Sequence, residues 1–415
     1  MPQSTISPVD SPAGPDLQRV HRKVERRKSL RSWSLVAPLF LFVTIMLLVP
    51  VGMLLMRSFY DPLVANTLPR TLAELETWDP SKGPPSEATF AALREDLIAA
   101  LEQDTLGPLA GRLNQDAPGA RSLLIRTARQ VGRAEQGPYR PVFEASSSAW
   151  KDIALWGAVR NAGSRFTLNY FLGAFDMTRD PSGTIVQRPE DQRLGIKLFV
   201  RTLWVSAAIA VSATLLAYPI AFLMARLPDG PSNFVMMLVL LPFWTSVLVR
   251  ITSWIVLLQR QGVVNDVLVW SGLLSDAERL DVMYSLKATL IVGTHILFPF
   301  AVLPIYSVMK SIPENLMRAA VSLGASPLHA FRKIYLPISL PGVAASMSIV
   351  FILSVGYYIT PAIVGGASGD LISNLVAFNM QMSLNWGLAS AISVVLLIVV
   401  GILYLTSNKL LATNH

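Results

Sequence analysis

Residues Met317 to Pro337 read MRAAVSLGASPLHAFRKIYLP, a charged stretch punctuated by glycine and proline between two runs apolar enough to cross a bilayer. Locally it parses into two short helices. Ser311 and Glu314 have capping-box spacing, so a helix is expected from about Ile312, with Pro313 in its first turn. Leu316, Ala319, Ala320 and Leu323 then recur at helical spacing. Gly324 follows, suited to the left-handed conformation that ends a helix. Ser326 and Pro327 supply a new cap and first helical residue, and Leu328, Phe331 and Tyr335 mark the next apolar face until Pro337 stops it. The expected product is a helix-turn-helix whose exposed face is apolar, with two small alanines that admit another backbone.

The surroundings decide where this segment lies. Of 415 residues 52% are hydrophobic and 15% charged, against about a quarter charged in soluble domains. The chain therefore reads as an all-α integral membrane protein. Runs long enough for a bilayer core occur at Ser34–Met56, Leu203–Ala225, about Phe234–Leu258, about Ala288–Met309, about Gly342–Val364 and about Leu388–Ser407. The first lacks a small-residue cleavage site, which favours a retained anchor, 34–57, over a signal peptide. Seven positive residues between Arg19 and Arg31 precede it, the mark of a cytoplasmic amino terminus. Six crossings return the carboxyl terminus to the cytoplasm.

The net charge of +8 raises a nucleic-acid arm as an alternative, but the excess sits where positive-inside topology puts it, and no nucleic-acid partner is expected. The same alternation places 310–341 inside, and Lys310, Arg318, Arg332 and Lys333 against Glu314 agree. The expected organisation is a basic cytoplasmic tail (1–33), the first helix, an extracytoplasmic insert (58–196) and a five-helix core (197–410). Within the core, 311–337 faces the cytoplasm.

The insert is far longer than ordinary connections and reads as partly helical. SEATFAALREDLIAALEQ places Phe90, Leu93, Leu97 and Leu101 on one face with Ser86 as N-cap, and GARSLLIRTARQVGRA is a second amphipathic helix. DPSKGPPSE and DPSGTIVQRPED read as loops. The insert is either a packed cap or a docking surface for an extracytoplasmic partner.

The chain has no cysteine, its four histidines have no metal-ligand spacing, and no nucleophile and base can be paired, so neither a metal site nor catalysis is expected. Arg250, within the third run, is expected to face the bundle interior, lining a cavity or binding carbonyls. His295 is expected to hydrogen-bond within the bundle.

The opening stretch resembles the E-A-A loop of permease subunits of binding-protein-dependent ABC importers. Ala319, Ala320, Gly324, Ile334, Leu336 and Pro337 fit its spacing, while Arg318 stands where that family has Glu. RTLWVSAAIAVSATLLAYPIAFLMAR, LLPFWTSVLVRITSW, LPIYSVMKSIP and VGYYITPAIVGG are similar to segments of the spermidine/putrescine-type branch, so that the likeness covers about 195–410. The resemblance implies a bacterial inner-membrane subunit that forms the pathway for a small, polyamine-like solute, with Trp244, Tyr357 and Tyr358 at pathway positions. It also implies coupling through 311–337, with Phe331 on the docked face. The implied partners are two ATPase subunits, a second permease subunit and an extracytoplasmic solute-binding protein, besides membrane lipid. ATP is then hydrolysed by the partner, and this chain, which has no phosphate-binding loop G-x-x-x-x-G-K-[ST], binds no cofactor and is no enzyme. The competing reading, a receptor or scaffold with a sensing insert, needs an output domain that the short termini do not offer. A secondary transporter would show paired interrupted spans in two related halves, and no such repeat is visible.

Overall fold

The computed structural model describes residues 15–134 and 136–412, so residues 1–14 of the basic tail lie outside the described residues. The chain forms two compact units, Met1–Met56 and Arg57–His415. The first is one helix that runs from Pro15 and ends at Arg57, with Val36–Arg57 apolar enough to cross a membrane. Pro38 and Pro50 lie inside it without ending it.

The second unit carries the other five membrane-crossing helices and the insert, for six candidate spans among the described residues. Within the insert, the helix Glu87–Glu102 buries Phe90, Leu93 and Leu97 as its periodicity requires. Its fourth inward position is Ala100, 2% exposed, while Leu101 is 43% exposed. Leu101 keeps the helical spacing, four residues after Leu97, but stands in the last turn of the helix, where it is left at the surface. Ser86 has the extended cap conformation but makes no side-chain cap bond.

The second amphipathic stretch is the helix Ala120–Val131, burying Leu123, Leu124, Thr127, Ala128 and Val131. Phe143, Trp150 and Trp156 complete a fully buried aromatic core with Phe90. The two indole N–H groups are satisfied inside it. Trp150 Nε1 donates to Thr127 Oγ1 (3.0 Å) and Trp156 Nε1 to the Trp150 carbonyl (2.9 Å).

DPSGTIVQRPED is more than a loop. Ile185–Gln187 pairs antiparallel with Met177–Arg179 around a turn at Gly183, whose φ of +91° suits glycine. Thr184, Ile185 and Val186 supply the β-branched residues that this hairpin favours.

Two joints tie the insert to the bundle. The buried Asp176 carboxylate accepts the N–H groups of Gly195 (2.8 Å) and Ile196 (2.9 Å), capping the second span, Gly195–Arg226. That span therefore starts earlier than its apolar run. At the second joint Tyr170 packs so closely on Gly387, at the start of the sixth span, Trp386–Ala412, that no Cβ fits there.

Tyr170 also donates to Asp61 Oδ2 (2.7 Å), which pairs with Arg112 Nε (2.5 Å), and Arg112 Nη1 holds Asp116 (2.7 Å). Burial alone would lower the pKa of Arg112, but Asp116, Tyr170 and Asp61 outweigh it and leave it raised. Burial, opposed by Arg112 and reinforced by Asp61, pushes the Tyr170 hydroxyl up. The network holds together residues 51 and 109 positions apart.

The bundle packs differently. Its core places Ala210, Ala213, Ala217 and Ala221 of the second span with Ala301, Val302 and Ile305 of the fourth, Leu286–Lys310. Small residues let helix backbones approach where lipid removes most of the hydrophobic drive. Hydroxyl pairs join the second span to the fifth: Thr214 with Ser346 and Tyr218 with Ser339, each at 2.9 Å.

Two spans differ from their apolar runs. The expected helix from Phe234 to Leu258 is broken: Asp229–Leu240 passes into a tight turn at Leu241–Trp244 and restarts as Val247–Leu258. Pro242, which carries no N–H, sits in that turn, and the crossing segment is Val247–Trp270. The fifth span covers Pro327–Val355 and ends at Gly356, short of the expected Val364. Beyond it Pro361–Gly369 and Ile372–Gln381 form a pair bent by 108°, a broken span or re-entrant loop.

Candidate functional site

The segment between the fourth and fifth spans is built from a helix end outward. Ser311 closes the fourth span instead of capping the next helix: its backbone is helical, and its hydroxyl donates to the Val308 carbonyl (2.8 Å). The capping box with Glu314 therefore does not form, because an N-cap needs an extended residue. Pro313 takes the extended cap position, and the helix Glu314–Ser322 follows.

Gly324 has φ +92°. Its N–H reaches the Val321 carbonyl (3.0 Å), and the Ala325 N–H reaches that of Ala320 (3.1 Å). These are the two bonds of a Schellman ending, as glycine at that position implies. Ser326 then accepts the His329 N–H on its hydroxyl (3.3 Å) and Pro327 opens the next turn.

From there the chain departs from the helix-turn-helix. Pro327–Ala330 continues through a π-helical turn, Phe331–Tyr335, into Leu336–Val355. Pro337 does not stop it. The wider π turn just before it relieves the clash of a proline ring with the carbonyl four residues back.

The segment divides into an inward and an outward side. Phe331 and Tyr335 stack on each other (5.9 Å) and meet Phe222 of the second span edge-on at 5.6 and 5.1 Å. The Arg226 guanidinium lies 4.0 Å from the Phe222 ring centre. Phe331 thus anchors the segment to its own bundle, and Ala320 is buried as well. Ile334 and Leu336 are half-buried, and Pro337 is exposed.

Facing outward are Leu316, Ala319, Val321, Leu323 and Leu328, with Leu323 89% exposed. One alanine of the expected pair is therefore available to another backbone, Ala319. Arg318 pairs with Glu314 of its own helix (2.7 Å) on the exposed face, an i,i+4 pair worth about 0.3–0.5 kcal/mol.

The four pathway candidates separate. Arg250, half-buried on Val247–Leu258, stands next to Ile251, which together with Trp254 packs in one apolar cluster with Tyr357. The Arg250 Nε and Nη1 atoms are buried and have no hydrogen-bond partner among the described residues; nor does the hydroxyl of Thr289. His295 bonds within the bundle as expected, its Nδ1 accepting from Trp254 Nε1 (3.0 Å). Accepting there leaves Nε2 of a neutral ring to carry the proton, so the cluster is rich in donors. Trp244 is 88% exposed and Tyr358 41%, and neither joins the buried cluster. Sequence reasoning missed Trp254, Thr289 and Thr360, since a hydroxyl or indole in an apolar run carries no signal without its neighbours.

Comparison with known proteins bears on this arrangement. Residues 201–413 match the family described as binding-protein-dependent transport system inner membrane component. The chain belongs to this family. The spermidine/putrescine transport system permease protein PotB of Escherichia coli K12 is 33% identical over 217 residues, which cover 51% of this chain and 78% of that protein. The inner membrane ABC transporter permease protein YdcU of the same organism is 30% identical over 273 residues, covering 61% and 86%. A chain of a solved bacterial alginate ABC transporter is 19% identical, with a TM-score of 0.43, over 52% of this chain and 78% of that one. This protein is a multi-pass inner-membrane permease subunit of an ABC importer, a transport component and not an enzyme.

Proposed function

We propose that this permease lines the route of a small solute with the cluster around Arg250 and Tyr357, and couples it to a separate ATPase through 311–337. In this reading Trp244 and Tyr358 are contacts at the route's edge, and the complex adds two ATPase subunits, a second permease and an extracytoplasmic solute-binding protein. The carrying observation is the outward apolar edge of Leu316, Ala319, Val321, Leu323 and Leu328. It is held by the Gly324 turn and braced on the second span by Phe331, a rigid knob for a groove in a partner. The termini are then cytoplasmic, the insert 58–196 extracytoplasmic and 197–410 the permease core.

The relatives' names support a polyamine-like cargo. Residues 195–226, 231–258, 286–310 and 336–369 contain no Asp or Glu, so carboxylates that hold an amine come from the second permease or the binding protein.

Because the chain has no cysteine, single cysteines report sidedness without background. At positions 4, 326 and 414 they should resist a membrane-impermeant maleimide in intact cells, while at Ser148 and Ser275 they should react. Labelling of Ser326→Cys from outside would end the coupling assignment.

A further inference from the structure

The family match starts at residue 201, so it assigns no role to the insert. Its surface is unevenly charged. The segment 120–133 carries Arg121, Arg126, Arg129 and Arg133 and no acidic residue. All four are exposed, and none forms an ion pair among the described residues. Arg126 and Arg129 share one face of the helix Ala120–Val131 at i, i+3 spacing, opposite the face that closes on the aromatic core, and Arg133 follows in the turn just past the helix end.

Arg121 also borders a cleft of about 920 Å³ between the insert and the start of the sixth span. On its far side the Arg57 guanidinium lies 5.5 Å from the ring centre of Trp386. Arg112, in its wall, is already neutralised by Asp61 and Asp116. The unpaired charge around the opening is thus positive.

We propose that the exposed arginines of this segment, Arg126 and Arg129 on one face of the helix and Arg121 at the cleft, dock an acidic surface of the extracytoplasmic solute-binding protein. The proposal rests on the reading above, which places the insert outside. Membership in a binding-protein-dependent family supplies the partner, and the charge supplies its chemistry.

A lipid headgroup layer fits less well. Helices that lie in a bilayer present apolar side chains beside their cations, whereas here the apolar face is consumed by Leu123, Leu124, Ala128 and Val131 packing inward. The surface is also mechanically placed. Asp176 caps the second span and Tyr170 sits on Gly387 of the sixth, so a load on the insert reaches two spans through buried contacts.

The test uses the complete transporter in proteoliposomes. The binding protein is purified by its stimulation of the wild-type complex's ATPase, and its half-saturating concentration is measured. Arg126→Glu, Arg129→Glu and Arg133→Glu together should raise that concentration by at least about tenfold and remove its dependence on salt. The corresponding triple lysine variant should stay near wild type, and Glu74→Lys, on another exposed helix, should change nothing.

An unchanged half-saturating concentration in the glutamate variant overturns the proposal. So does a defect that tracks the phosphatidylglycerol content of the vesicles rather than binding-protein concentration, which assigns the face to lipid. A wild-type complex that retains no ATPase, or that no soluble protein stimulates, fails the function proposed above instead.

Discussion

The insert and the transmembrane bundle solve the same packing problem with opposite materials. The insert buries Phe90, Phe143, Trp150 and Trp156 in one aromatic cluster, as a domain folded by water's exclusion should. The bundle closes on alanines of the second and fourth spans and on paired hydroxyls. Their arginines differ in the same sense. Arg112 meets two carboxylates and the Tyr170 ring, whereas Arg250 has none within its spans to meet. Buried charge in the insert is paired within the insert, while in the bundle it is left for a partner, water or solute to complete.

Breaking the finished network tests this most severely. Arg112→Leu leaves Asp61 buried beside a lost guanidinium and should destabilise the insert by about 3–5 kcal/mol. Limited proteolysis of the complex should then cut first between residues 60 and 170. A stable insert would mean that the aromatic core alone carries it.

In the bundle the damaging change is enlargement. Ala213, fully buried, replaced by Leu should cost about 1–3 kcal/mol by overpacking, read as a lower melting temperature of the detergent-solubilised complex. An unchanged melting temperature would refute close helix approach there.

Gly324→Val forces a β-branched residue into φ +92°, at about 1–2 kcal/mol. No atom lies within 4 Å of the added Cβ, so the effect is conformational. The spans should insert normally while ATPase co-purification or the coupling of hydrolysis to uptake falls. Wild-type coupling would reduce the segment to a surface helix pair.

The smallest stability effect belongs to Arg250→Leu, which removes a guanidinium whose Nε and Nη1 have no partner among the described residues. Complex yield should hold and uptake per recovered complex should drop. Lost assembly would make Arg250 a structural residue like Arg112.

The sequence alone determined the features that local chemistry and the bilayer dictate. A run of apolar residues must be helical to satisfy its backbone in lipid, so the number of spans was legible, though not the bounds of the third and fifth, and no residue but glycine takes a left-handed helix ending so readily, so Gly324 was too. The amphipathic period located two of the insert's helices, Glu87–Glu102 and Ala120–Val131. Tertiary structure decided the features that depend on distant neighbours: Phe331 turning inward because Phe222 receives it, and Asp61 and Tyr170 meeting on one arginine. It also decided the fate of two prolines, because a proline ends a helix only where no turn makes room for its ring. Pro242 accompanies a break, while the π turn before Pro337 lets the fifth span run through.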